Sequence, residues 1–169
     1  MLHLFKRPVV RLFLVGLVLL TVQTTLLADV RPFGSSADIM LGASVAAGVV
    51  GGAEYGALAG FVFGVMFDLL LVTPFGLSPL AYGLAAFAFG ALKGSITVGS
   101  AWWLTVVLVF AGSVSGIVLF AVAGAMIGQE GWVRWHLLSA ALVVGGINAL
   151  VGPPFSRVMK WALRLEREQ

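Results

Sequence analysis

The chain has 169 residues, of which 60% are hydrophobic and only 10% charged, with a mean hydropathy of +1.08. A soluble globular domain carries about 25% charged residues, and a chain this short cannot bury so much apolar side chain in one core, so lipid is the expected solvent for most of it. The sequence pI near 9.8 does not point to nucleic acid, because the net charge is only +3 and the cations gather toward the chain ends, while the absence of cysteine excludes disulfides, thiolate metal sites and cysteine nucleophiles.

Six segments are long and apolar enough to be membrane spans, since a helix needs about 20 residues to cross the hydrocarbon. The first runs from about Val9 to Leu27, behind Lys6 and Arg7. It is longer than the apolar region of a signal peptide and no small-x-small cleavage site follows it, although Ala28 keeps that alternative open. The second covers about Ala37 to Ala53, and Asp38 stands at its start, where the helix dipole favours an anion. Asp29 and Arg31 lie in the loop before it.

The third segment runs from Gly56 to Val72 and the fourth from Ser78 to Leu92. Ser78 can cap the fourth, and Pro79 suits a first helical turn. The fifth, Trp102 to Ile127, is long enough to tilt. The sixth covers about Trp135 to Val151, and Pro153-Pro154 is expected to end it. Residues 155–169 then read as a short basic amphipathic tail helix. Arg157, Lys160, Arg164 and Arg167 share one side of it, and Val158, Trp161 and Leu165 form an adjacent apolar side. Such a helix can lie on an anionic leaflet, anchor topology or offer a docking site to a cytoplasmic protein.

The expected fold class is thus all-α: one polytopic domain over residues 1–169, with six transmembrane helices in a single bundle. Six spans put both termini on one side. That side holds Lys6, Arg7, Arg11, Lys93, Arg157, Lys160, Arg164 and Arg167, with His3, and the other holds Arg31 and Arg134. The positive-inside rule makes the first side cytoplasmic. Trp102, Trp103, Trp132, Trp135 and Trp161 all fall at expected span ends, where an amphipathic ring prefers the headgroup level.

Glycine recurs every fourth residue: Gly56, Gly60 and Gly64 in the third span, Gly48 and Gly52 in the second, Gly112 and Gly116 in the fifth. Small residues at this spacing let another helix approach closely, either inside the bundle or from a partner. Asp68 continues the register of Gly56, Gly60 and Gly64. Its carboxylate can accept hydrogen bonds from the following turn or a neighbouring helix, meet a partner, or hold a proton or ion. Gln23 and Asn148 are expected to make interhelical hydrogen bonds. No HExxH, GxSxG or phosphate-binding loop occurs, and His136 has no carboxylate near in sequence, so neither an enzyme nor a cofactor site is expected.

The stretch from Gly56 through Asp68 and Thr73-Pro74-Phe75-Gly76 to Tyr82 resembles the signature region of the MreD family of rod-shape-determining proteins: a Gly-rich third helix, an aspartate near its end, a turn, and a following Leu/Ala/Tyr helix. Gln23-Thr24-Thr25, Asp38 opening the second span, and Asn148-Ala149-Leu150 before prolines and a basic tail are similar in layout. One departure is Glu54-Tyr55, where arginine often follows the second span in that family. The resemblance implies a non-enzymatic inner-membrane component of the bacterial elongation machinery. It would partner the bitopic MreC and, through it, MreB, a RodA-type polymerase and a class B transpeptidase. It also implies a fold similar to the substrate-binding S-components of ECF vitamin transporters, which supplies an alternative function. Against that alternative, the first span has no alanine before Ala28 for an Ala-xxx-Ala docking face.

Overall fold

The computed structural model describes residues 8–25, 38–70, 76–96, 102–128 and 135–163. Among them every regular element is helical: α1 (Pro8–Thr25), α2 (Ile39–Gly51), α3 (Ala53–Asp68), α4 (Leu77–Ser95), α5 (Trp102–Met126) and α6 (Trp135–Leu163). Three are long and apolar enough to cross a membrane: Pro8–Thr25, Trp102–Met126 and Leu137–Leu163. The described residues are therefore all-helical, with the character of a membrane protein. His3, Lys6, Arg7, Asp29, Arg31, Thr73, Pro74, Phe75, Trp132, Arg134, Arg164, Leu165 and Arg167 lie outside the described residues, as do the side chains of Trp135 and His136.

The shortest helix is the centre. Every residue of α2 from Ile39 to Val49 is buried, and α3, α4, α5 and α6 pack around it. A helix that is apolar on all sides is stable only when surrounded. Glycines set the spacing. Gly112 and Gly116 of α5 face Val45 and Leu41 of α2, and Gly42 of α2 faces Asn148 of α6. Helix α1 lies at the margin, with Gly16 against Met66 and Phe63 of α3 and Leu12 fully buried.

The turn between α2 and α3 is a single residue. Gly52 sits at φ +100, its N–H reaches Gly48 O at 2.8 Å, and its own carbonyl accepts from Gly56 N at 3.0 Å. A left-handed φ costs glycine nothing, so the chain reverses and brings Gly48 beside Gly56. Helix α4 starts two residues earlier than Ser78 capping requires. Its N-cap is Gly76, left-handed at φ 103, and the Ser78 hydroxyl makes no cap bond. Pro79 then falls at the third helical position, where a missing N–H is still harmless.

The sixth helix corrects the expected stop at Pro153-Pro154. It runs unbroken from Trp135 to Leu163 with both prolines inside it. Each proline forfeits one backbone hydrogen bond, but the residues beyond are held from the side. Phe155, Met159, Ala162 and Leu163 join the core, and Leu163 meets Gly51 at the end of α2. The Ser156 hydroxyl also donates to Gly152 O at 2.8 Å. The described part of the expected tail is thus the packed last turns of α6, with Arg157, Val158, Lys160 and Trp161 on its exposed side.

Candidate functional site: a buried polar network

A membrane helix bundle has little water with which to satisfy polar atoms, so each buried polar group needs a partner within the fold. Asp38 organises most of those described here. Its Oδ1 accepts from Leu41 N at 3.1 Å and caps α2. Its Oδ2 accepts from the Tyr82 hydroxyl of α4. Its backbone carbonyl accepts from Asn148 Nδ2 of α6 at 2.8 Å, and the same nitrogen donates to Ser113 Oγ of α5 at 3.0 Å. The next residue, Ile39, donates its N–H to Gln23 Oε1 of α1 at 3.2 Å. Five helices meet in this one network.

The sixth joins beside it. Asp68, at the end of α3, is 4% exposed, and its Oδ2 accepts from Gly76 N at 2.7 Å. The carboxylate thereby ties the end of α3 to the start of α4, at a helix N-terminus that favours negative charge. The ring of the preceding Phe67 packs on Tyr82 with centroids 5.9 Å apart. Among the described residues three buried side-chain atoms have no hydrogen-bond partner: Asp68 Oδ1, Ser78 Oγ and Asn148 Oδ1. All three can accept a hydrogen bond, so a donor such as a water would fit them.

The network is deep. Ser113 and Asn148 lie near the midpoints of α5 and α6, and Asp38 is level with them through its bond to Asn148. Sequence position alone sets Asp38 at the edge of a loop, whereas the bundle sets it level with those midpoints. Tyr82 and Ser113 are the members that carry no role in the sequence reading. A tyrosine within an apolar helix is the available signal, because a buried hydroxyl needs a partner. Its partner Asp38 is 44 residues away.

The glycine face of α3 is turned inward. A Cβ on Gly60 would sit 2.6 Å from the backbone of Tyr82 and Gly83, Gly56 abuts Ala86 and Gly48, and Gly64 abuts Pro79. With Asp68 this face is filled by α2 and α4, leaving no open surface on it for a partner's helix. The outer edge of the same α3–α4 seam, next to this face, is open. Ala57, Phe61 and Val65 of α3, with Gly76, Pro79, Leu80, Gly83, Leu84 and Phe87 of α4, line an apolar groove of about 700 Å³. Among the described residues no group of three or more His, Cys, Asp or Glu is placed to hold a metal ion. No family model, curated protein or solved structure matches the chain.

Proposed function

We propose that the chain is a non-enzymatic scaffold of the bacterial elongation machinery, similar to MreD, which holds MreC in the cytoplasmic membrane and through it supports MreB, the RodA-type polymerase and the class B transpeptidase. In this reading the six expected spans cross the membrane, α2 being the helical part of the second, and both termini are cytoplasmic. The observation that carries it is the use made of the buried polar groups. Asp38, Tyr82, Ser113, Asn148, Gln23 and Asp68 bond to one another and to helix ends. Such groups fasten a bundle rather than perform chemistry, and what remains on the outside is apolar helix surface suited to helix partners.

The docking face in this reading is the groove on the outer side of α3 and α4. Gly83 tests it, because a Cβ there meets no atom closer than Ala57 O at 3.7 Å. Gly83→Leu is expected to leave insertion and folding intact and to abolish co-purification with MreC. Depletion of the chain in a rod-shaped host is expected to widen or round the cells and halt lateral wall synthesis. Normal shape with a new nutrient requirement would overturn the scaffold reading in favour of a vitamin-transporter subunit.

A further inference from the structure

The two consecutive prolines inside α6 free a backbone acceptor on its outer side. A helical carbonyl bonds the N–H four residues on, or shares the one three residues on. For Leu150 those positions are Pro154 and Pro153, and neither has an N–H to give. The Ala149 carbonyl, by contrast, can share the N–H of Gly152. The Ser156 hydroxyl is spent on Gly152 O at 2.8 Å, and among the described residues no side chain donates to Leu150 O. Leu150 is 82% exposed, with Pro154 exposed beside it, and it stands at the middle of the candidate span Leu137–Leu163. Hydrocarbon offers no water there, so a carbonyl without a donor is costly.

The same face carries a glycine whose space the fold does not use. Gly146 is one helical turn before Leu150, and a Cβ there would meet nothing within 4 Å. Its neighbour Gly145 differs, since a Cβ there would lie 2.8 Å from Val114 of α5. Glycine weakens a helix relative to alanine, and among the described residues none fills the recess that Gly146 leaves. A recess followed one turn later by an unpaired carbonyl fits a second helix that packs closely and brings a side-chain donor. Lipid tails can enter the recess but bring no donor, and headgroups do not reach the middle of a span. We infer that the Gly146–Leu150–Pro154 face of α6 is a docking site for a partner membrane helix that carries Ser, Thr, Asn or Gln at the contact, its side chain donating to Leu150 O. The inference rests on α6 crossing the membrane and goes beyond the scaffold reading, whose docking groove lies on α3 and α4.

The test reconstitutes the full chain in phosphatidylcholine vesicles and measures, by energy transfer, its association with a synthetic polyleucine membrane helix carrying one central Asn. The Asn helix is expected to associate more tightly than an all-Leu counterpart. Pro154→Ala gives Leu150 O an N–H from its own helix, so it should weaken association with the Asn helix about threefold, the factor of an average interhelical hydrogen bond. Pro153→Ala returns an N–H whose regular partner is Ala149 O and should leave the association unchanged. Alanine favours the helix at both sites, so both variants keep the fold. Gly146→Leu fills the recess without displacing any neighbour and should abolish association. Equal binding of the Asn and all-Leu helices, no loss with Pro154→Ala, or an equal loss with Pro153→Ala would each overturn the site. Energy transfer between two copies of the chain that Pro154→Ala abolishes would also overturn it, by making a second copy the occupant. Gly83→Leu leaves this face intact and should bind the Asn helix like the unaltered chain, so this inference and the MreC reading fail separately.

Discussion

The cost of removing a polar side chain from the network depends on what it leaves behind. Tyr82→Phe keeps the ring against Phe67 and deletes only the hydroxyl that donates to Asp38 Oδ2. The carboxylate oxygen then stays buried without that donor, and a stranded charged acceptor costs about 1–3 kcal/mol or more. Ser113→Ala is milder. It removes an acceptor from Asn148 Nδ2, which keeps its bond to the Asp38 carbonyl, and interhelical hydrogen bonds in membrane proteins average about 0.6 kcal/mol. Equilibrium unfolding in bicelles is expected to rank Tyr82→Phe as clearly the more destabilising. Equal losses would mean that the Asp38 carboxylate finds another donor when Tyr82 is removed. The sequence marks Asp38, Asp68, Gln23 and Asn148 as residues in need of partners, since each is polar within or beside an apolar run. It does not say which groups pair, because Asn148 and Asp38 are 110 residues apart and only the packing of whole helices brings them level.

At the scale of the helix, the six apolar runs carry their own identity in the sequence, and the ends do not. The stop expected at Pro153-Pro154 is overridden because Phe155, Met159, Ala162 and Leu163 have a core to pack against, a benefit that exists only once the other helices are in place. Glycine spacing behaves similarly. It announces that close approach occurs on α3 without showing that α4 is the neighbour. Gly60 and Gly83 separate the two uses of a helical glycine. An added Cβ at Gly60 would lie 2.6 Å from the α4 backbone, which has no side-chain freedom with which to yield, whereas one at Gly83 has ordinary contact at 3.7 Å. Gly60→Ala is therefore expected to force α3 and α4 apart and to lower the unfolding midpoint sharply. Gly83→Ala should be neutral, or stabilising by up to about 1 kcal/mol through helix propensity. If both substitutions are tolerated, the α3–α4 contact is looser than backbone against backbone.

For the whole molecule, depth and orientation follow from how the helices share height. The 13 residues of α2 cover about 20 Å at 1.5 Å per residue, less than the roughly 30 Å of a hydrocarbon core, while the 25 residues of α5 cover about 37 Å. Helix α2 starts level with the middle of α5, so the Asp38 network lies within the thickness that α5 spans. This explains why a central helix too short to cross alone is anchored by hydrogen bonds at its deep end. At its other end lie Arg11, Lys93, Arg157 and Lys160, with Trp102 and Trp103 opening α5 and Trp161 near the close of α6. Cations and exposed tryptophans at one end mark it as the cytoplasmic interface in the proposed topology. The cysteine-free sequence makes this directly testable with single cysteines. Ser95, at the end of α4, and Ile127, just beyond α5, are both exposed and lie on either side of that helix. In intact spheroplasts a membrane-impermeant maleimide is expected to label Ile127→Cys and to spare Ser95→Cys, and inverted vesicles should give the opposite pattern. Labelling of both from one side would show that α5 does not cross. The reverse pattern would keep the crossing but turn the basic end outward, against the charge bias that orients the other helices.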